Sequence, residues 1–369
     1  MEELDRLLDH IEGQIDLDRC AEIDDRYEKS LYYRPVDRPP LVVECPQTPL
    51  GLTPFGYEES FHDPGKMMFN QLLDRVALGL ELGDDSPLAI RNDHGIIQIA
   101  TLFGGKWCIK ENNYPWVEHR PRADLEPLVT GAESINLESG GILSRSMETL
   151  QFYREKLSGY PKCRRGIQIS LPDLQGPVDT AHLLWGNDLF LAAVEDPEFL
   201  SALLGRVVDV MLDVAGRFRE YTYDRLDPLA NCQHTYMIPG RILIRVDTSI
   251  MFSPDMYAEI LAPHDARVLK EIGTGSIHFC GDGGHVVDPM LDIPDVRGLD
   301  LGQSEMMDVE AVYEKCLKAE VAVTTIACSA EDLISGKAKE KFPTGVVFIY
   351  RAENLSDARK VAKEYCSSS

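Results

Sequence analysis

The stretch SIHFCGDGGHVVDPMLDIPDVRGLDL, residues 276–301, contains two apolar segments separated by a glycine-rich turn and a connecting segment. SIHFC and RGLDL are short runs of the kind that form buried strands, because they are apolar and bounded by turn residues. Two such strands joined by a helical connection form the βαβ unit of a parallel sheet. This stretch therefore predicts an α/β fold.

Strands of the same kind recur along the whole chain. They are LVVEC (41–45), LAIRN (88–92), GIQIS (166–170), ILIRV (242–246), SIHFC (276–280), RGLDL (297–301), VAVTTIA (321–327) and GVVFIY (345–350). Helical patterns separate them, and the last four strand-helix units are compact. Eight parallel strands alternating with helices predict a (β/α)8 TIM barrel, in which the active site lies at the C-terminal ends of the strands.

Two segments depart from this repeat. Residues 1–33 are charged and helical and are followed by prolines, so we expect an N-terminal helical extension before a single barrel domain at 34–369. Between the second and third strands, residues 96–164 contain a predicted hairpin and an added helix. We interpret this segment as an insertion, because no linker or change of composition marks a second domain.

The composition disfavours several classes of partner. The chain has 37 Lys and Arg against 61 Asp and Glu, a formal net charge of -24, which opposes binding to nucleic-acid phosphates. No apolar run approaches the roughly 18 residues that span a bilayer, and the acidic N-terminus does not resemble a signal peptide. The nine cysteines are scattered and do not indicate a disulfide framework. We therefore expect a cytoplasmic protein that binds neither nucleic acid nor membranes.

Polar side chains concentrate at the C-terminal ends of the predicted strands. Asp93 and Asp247 are candidate catalytic acids or bases, because burial can move the pKa of a carboxyl group toward neutrality. The candidate substrate-binding residues at these ends are Asn92, His94, Asp300, Tyr350 and Arg351. Helix capping, salt bridges or solvated strand ends explain the same residues without a catalytic role.

His278 and Cys280 are two residues apart on the fifth predicted strand, so their side chains face the same side of the sheet. Imidazole and thiolate suit zinc, and catalytic zinc sites have three protein ligands and one open position. We predict Cys328, just after the seventh strand, as the third ligand, with Asp300 as the alternative. A hydrogen-bonded histidine and a buried free cysteine explain the spacing without a metal.

Three stretches, 174–211, 245–284 and 353–365, resemble the uroporphyrinogen decarboxylase superfamily. Their shared pattern is a GP…G helix followed by a D-P-E helix, a strand ending in Asp, then S-P and H-x-C-G. Members of this superfamily are (β/α)8 barrels. Its decarboxylases use an R-Q-A-G segment, an aspartate near the end of an early strand and a histidine after the last strand. This sequence lacks the R-Q-A-G segment and the histidine, and Asp93 is the one counterpart of the aspartate.

The second branch of the superfamily, the zinc-dependent methyltransferases, moves a methyl group between a separate corrinoid protein and a thiol. Its zinc ligands are H-x-C and a cysteine after the last strand. The resemblance implies that His278 and Cys280 are zinc ligands. Tyr350 and Arg351 lie at the position where the family's last cysteine is expected.

The resemblance implies a zinc-dependent methyltransferase with a small-molecule substrate. The corrinoid is expected on a partner protein, because the spacing of Asp179 and His182 differs from the D-x-H-x-x-G corrinoid signature. We assign these two residues to a surface or amphipathic helix. The alternatives are a cofactor-free decarboxylase acting through Asp93, and a non-catalytic barrel that binds a corrinoid protein or a small molecule. A homodimer is left open.

Overall fold

The computed structural model describes residues 2–138, 140–233 and 235–367. The strands within them are β1 (Leu41–Glu44), β2 (Ala89–Ile90), β3 (Trp107–Cys108), β4 (Trp116–Val117), β5 (Gln168–Ile169), β6 (Ala230–Gln233), β7 (Tyr236–Pro239), β8 (Ile242–Arg245), β9 (Gly275–Phe279), β10 (Val296–Leu301), β11 (Ala322–Ala327) and β12 (Val346–Arg351).

The helices of the same residues begin with the pair α1 (Glu2–Gln14) and α2 (Leu17–Leu31). Those that follow are α3 (Tyr57–His62), α4 (Pro64–Gln71), α5 (Leu78–Leu82), α6 (Gln98–Leu102), α7 (Arg122–Val129), α8 (Leu143–Ser158), α9 (Pro161–Gly166), α10 (Pro177–Trp185), α11 (Asp188–Glu195), α12 (Pro197–Arg219), α13 (Pro254–Met256), α14 (Ala262–Ile272), α15 (Val287–Leu291), α16 (Val309–Ala319), α17 (Ala330–Ser335), α18 (Lys337–Lys341) and α19 (Leu355–Cys366). π-Helical segments at Leu72–Ala77 and Tyr257–Leu261 join α4 to α5 and α13 to α14.

A six-stranded parallel sheet forms the centre of the fold, in the order β1-β12-β11-β10-β9-β8. The strands β2 and β5 form a separate parallel pair. These eight strands are the eight predicted from the sequence, with ends that differ by at most two residues. The structure therefore confirms an α/β fold built on a parallel sheet. Among the described residues no ladder joins the pair to the sheet, so a closed (β/α)8 barrel stays a prediction.

Side chains join β1 to the segment before β2. The carboxylate of Asp84 accepts a hydrogen bond from Val43 N at 2.7 Å, and that of Asp85 accepts one from Leu41 N at 3.1 Å. Asp85 N donates in return to Leu41 O at 2.9 Å. Two carboxylates thus satisfy backbone donors that a neighbouring strand would otherwise satisfy.

Asp85 is also the buried centre of a group of charges that we call the Asp85 cluster: Asp85, Arg19, Arg26 and Arg38. The Asp85 carboxylate accepts from Arg38, from Arg26 Nη1 at 2.8 Å and from Arg19 Nη2 at 3.4 Å. Arg19 and Arg26 belong to α2, so the cluster ties the N-terminal helices to the sheet.

The predicted N-terminal extension forms α1 and α2, and both helices contribute to the core. Leu8 and Ile11 of α1 are fully buried, as is Tyr27 of α2. Tyr27 belongs to an apolar cluster with Val42 of β1 and Val347 of β12. The apolar face of each helix therefore packs on the rest of the chain.

The predicted insertion between β2 and β5 contains the β3–β4 hairpin and the helices α7, α8 and α9. The hairpin is antiparallel, with Trp107 opposite Val117 and Cys108 opposite Trp116.

No helix in the described part of the chain combines the length and the apolar character needed to span a lipid bilayer.

Candidate metal centre

Three side chains converge at the carboxyl ends of β8 and β9. Asp247 begins the 3₁₀ turn that follows β8, His278 lies on β9, and Cys280 directly follows that strand. Their candidate ligand atoms all lie within 4.8 Å of one another. His278 Nε2 is 3.4 Å from Cys280 Sγ and 3.5 Å from Asp247 Oδ1. We call these residues the triad.

The triad has the donor set and spacing of a divalent metal site. Bonds of about 2.0–2.3 Å to a tetrahedral zinc ion place neighbouring ligand atoms about 3.3–3.8 Å apart, and the two distances from His278 Nε2 lie in this range. Imidazole nitrogen, thiolate sulfur and carboxylate oxygen are all zinc ligands, and three protein ligands leave a fourth position open. The residues present therefore fit zinc.

Asp300 orients the imidazole of His278. Its Oδ2 lies 2.6 Å from His278 Nδ1 and also accepts from Tyr236 Oη at 3.0 Å. Its Oδ1 accepts from Thr324 Oγ1 at 2.8 Å and from Thr325 Oγ1 at 2.9 Å. An ionised carboxylate can only accept, so Nδ1 carries the proton and Nε2 faces the other two ligands. Metal-binding histidines are commonly held by such a carboxylate.

The charges of this pair shift both pKa values. Burial and Arg245 would lower the pKa of His278, but the hydrogen bond and charge of Asp300 outweigh them and raise it to about 9. Burial would raise the pKa of Asp300, but His278 and Arg245 lower it to about 2. A metal ion that binds at Nε2 therefore has to displace a proton from an imidazolium.

Hydrogen bonds hold both the side chain and the backbone of Asp247 in place. Its Oδ1 accepts a hydrogen bond from Cys280 N at 2.8 Å. The carboxylate of Asp179 accepts from Asp247 N at 2.9 Å and from Thr248 N at 2.8 Å, which anchors the turn to α10. Burial, reinforced by the charge of Asp247, raises the pKa of Asp179 to about 7.

Gly302 provides room for two of the ligands. A Cβ atom at this position would lie 2.6 Å from Cys280 Sγ and 2.8 Å from His278 Cε1. Its N donates to Phe279 O at 3.0 Å, so the backbone at Gly302 is tied to the strand that carries His278. A side chain here cannot be accommodated by moving Gly302 away.

We expect Gly302→Ala to displace both ligands and to lower the affinity for zinc about ten-fold or more, because metal sites tolerate little displacement of their ligands. Competition with a chromophoric chelator measures this affinity. Gly216→Ala on α12 is the matched control, since a Cβ there meets no atom of the described part of the chain within 4 Å. Equal zinc affinity in the two variants would contradict the placement of Gly302 at the site.

The triad opens into a cleft of about 670 Å³, which we call the triad cleft. Its apolar and aromatic lining consists of Ile96, Tyr114, Trp116, Leu183, Phe190, Ile250 and Met251. Its charged wall carries Arg91, Asp173 and Arg245, and Arg245 Nε donates to Asp173 Oδ2 at 2.7 Å. Burial would raise the pKa of Asp173, but the two arginines lower it.

The structure brings one of the three residues predicted at the end of β2 into the triad cleft. Asp93 lines the cleft, and its Oδ2 accepts from Tyr114 Oη at 3.0 Å. Asn92 is buried away from it and donates to Ser146 O at 3.2 Å. His94 packs edge-on against Phe61, and burial lowers its pKa to about 4.

Tyr350 and Arg351, predicted to bind substrate, lie at the end of β12 and do not line the triad cleft. Tyr350 Oη donates to Asp357 Oδ2 at 2.7 Å. Arg351 is exposed and pairs with Glu44 and Glu305, each at 3.4 Å. Asp300, also predicted to bind substrate, lies fully buried behind His278, with no side chain surface left for a substrate.

Cys328, the predicted third ligand, lies apart from the triad. It lines a second cleft of about 460 Å³ beside α17 and α18, and its Sγ is 3.6 Å from Ile326 O. Burial raises the pKa of its thiol to about 12. The position that the sequence analysis gave to Cys328 is occupied by Asp247.

An irregularity in β11 explains the direction of Cys328. The pairing of β11 with β12 shifts register between Val323 and Ile326, and Thr325 has a φ of 63°. The consecutive side chains of Thr324 and Thr325 both reach Asp300, so the alternation of faces is interrupted there. Residues after a bulge face the opposite side from the one that regular alternation predicts.

Four residues that shape the site were not predicted from the sequence: Arg91, Asp179, Arg245 and Gly302. The assignment of Asp179 to a surface or amphipathic helix was wrong, because its side chain is buried beneath Asp247. A usable signal existed for the two arginines, since each interrupts an otherwise apolar run at the end of a strand. Gly302 had no such signal.

No protein-family model and no curated protein sequence matches the chain. Among solved structures, the chain is similar to a methyltransferase from Methanosarcina mazei, with a TM-score of 0.61. The identity is 15%, and the match covers 94% of this chain and 97% of the other. At this identity the likeness concerns the fold, and it agrees with the parallel α/β architecture. The resemblance to the uroporphyrinogen decarboxylase superfamily stays an expectation from the sequence.

Proposed function

We propose that the protein is a zinc-dependent methyltransferase that moves a methyl group between a corrinoid protein and the thiol, or a related acceptor group, of a small molecule. The observation that carries this proposal is the triad, with its zinc-like donor set and with Asp300 behind His278. The fold of a methyltransferase from Methanosarcina mazei supports it. The proposal includes a closed (β/α)8 barrel, which is supported by the pairing of β1 with β12.

The residues of the chain have separate roles in this proposal. Asp247, His278 and Cys280 would hold the zinc, which lowers the pKa of a coordinated thiol so that it reacts as a thiolate at neutral pH. Asp300 keeps Nε2 of His278 directed at the metal position, and Asp179 keeps the Asp247 turn in place. The apolar lining of the triad cleft would shield a bound acceptor from part of the surrounding water.

Removal of the metal tests this function. We expect the purified protein to contain about one zinc ion per chain. Treatment with a chelator should lower methyl transfer from methylcobalamin to a thiol about 100-fold or more, and added zinc should restore it. Elemental analysis gives the zinc content, and the absorbance of methylcobalamin gives the rate.

Two results would contradict the proposal. One is a protein that binds no zinc even when zinc is supplied. The other is full activity after the chelator has removed the metal. A decarboxylase acting through Asp93 would keep its activity after chelation and lose it in Asp93→Asn. A binding module would keep its partner bound and would convert no substrate.

A further inference from the structure

Arg91 is a buried cation, and two of its side-chain nitrogens lack acceptors among the described residues. It directly follows β2, lines the triad cleft and is only 4% exposed. Its Nε and Nη1 have no hydrogen-bond partner among the described residues. Asp93 Oδ1 is 3.7 Å from Nη2 and Asp173 Oδ2 is 3.9 Å from Nη1, which is beyond hydrogen-bond distance. The two carboxylates balance the charge of Arg91 but leave its donors unused.

Other donors are closer to both of these carboxylates. Arg245 Nε lies 2.7 Å from Asp173 Oδ2, and Tyr114 Oη lies 3.0 Å from Asp93 Oδ2. Arg245 therefore makes the short ion pair that Arg91 lacks. Buried charged donors without acceptors are unfavourable, and a ligand that supplies oxygen acceptors removes that cost.

The rest of the triad cleft indicates what such a ligand carries besides its acceptors. Trp116 is 57% exposed and Met251 is 70% exposed, although both are large apolar side chains at the cleft. Phe190 lines the same space. A small hydrated anion would leave these side chains in water, whereas a ligand with an apolar body would cover them. The planar guanidinium group matches the two oxygens of a carboxylate.

We propose that Arg91 binds the carboxylate of an organic acid whose apolar body lies along Trp116 and Phe190. The acid would be the small-molecule substrate, and that part of the inference rests on the proposed function. Binding of the carboxylate needs no metal, because Arg91 is not part of the triad.

The test compares 3-phenylpropanoate with 3-phenylpropanamide, which have the same apolar body and differ in charge. Calorimetry on the full chain should show that the acid binds about 10–100-fold more tightly than the amide, the range expected for charge-assisted hydrogen bonds. Arg91→Gln should lose this preference. Arg165→Gln is the control, since Arg165 is an exposed arginine on α9, and it should keep the preference.

A second variant keeps the test decisive if Arg91→Gln does not fold. Asp93→Asn removes a negative charge 3.7 Å from Arg91, so it should bind the acid several-fold more tightly than the wild type and the amide with unchanged affinity. Failure of the wild type to prefer the acid would overturn the inference. So would a preference that survives in Arg91→Gln, or no gain in Asp93→Asn.

Zinc content measured on the same samples separates this inference from the proposed function. A protein that prefers the acid but binds no zinc would support the Arg91 subsite and contradict the methyltransferase. A protein that binds zinc and does not distinguish the acid from the amide would contradict the subsite alone.

Discussion

Cys280→Ala should reduce the bound zinc from about one ion per chain to nearly none, because two remaining ligands hold the ion poorly. We expect the affinity for zinc to fall at least about 100-fold, more than for the loss of an outer partner of a ligand. Methyl transfer should be lost with the metal. Elemental analysis after dialysis against a weak chelator gives the zinc content.

Cys328→Ala is the matched control, because it removes the same group from the cysteine that the sequence predicts as third ligand. We expect it to keep its zinc, since Cys328 lies in a separate cleft. Asp247→Ala should lose zinc as Cys280→Ala does, because Asp247 Oδ1 is 3.5 Å from His278 Nε2. Loss of zinc in Cys328→Ala and its retention in Asp247→Ala would restore the ligand set expected from the sequence.

This contrast shows which parts of the site can be predicted from the sequence. His278 and Cys280 share a face because a strand alternates every two residues, and that period is visible in the sequence. The distance between the turn after β8 and the end of β9 depends on the register of two strands. The direction of Cys328 depends on the bulge at Thr325, whose β-branched side chain gives no warning of a φ of 63°. Neither the strand register nor the bulge can be recognised from the residues near it in the sequence.

The helices and strands were easier to predict than the contacts between them. Asp196 caps α12 by accepting from Phe199 N at 3.1 Å, as the Asp-Pro pair there predicts. The helix that begins at Pro254 runs without interruption to Ile272, and a π-helical segment at Tyr257–Leu261 accommodates Pro263. The junction between β1 and β2 was not predicted, because the side chains of Asp84 and Asp85 accept from the backbone of β1 in place of a regular strand ladder.

That junction contains a fully buried ion pair. The Asp85 carboxylate is completely buried, and Arg38 beside it is only 3% exposed. Burial would lower the pKa of Arg38, but the hydrogen bond and charge of Asp85 raise it, so the guanidinium stays charged. Without Asp85, a buried cation would remain with no anion against it, and Leu41 N would lose its acceptor.

Asp85→Ala should therefore lower the free energy of unfolding by about 3–5 kcal/mol, the range measured when one partner of a buried ion pair is removed. Asp37→Ala is the control, because Asp37 pairs with Arg26 at 3.3 Å but its side chain is 42% exposed. A carboxylate this exposed to solvent contributes about 0–1 kcal/mol through its ion pair. Urea denaturation of both variants measures the difference. Equal losses in the two variants would show that the Asp85 cluster does not hold α2 and β1 together, because the buried carboxylate would then matter no more than a surface one.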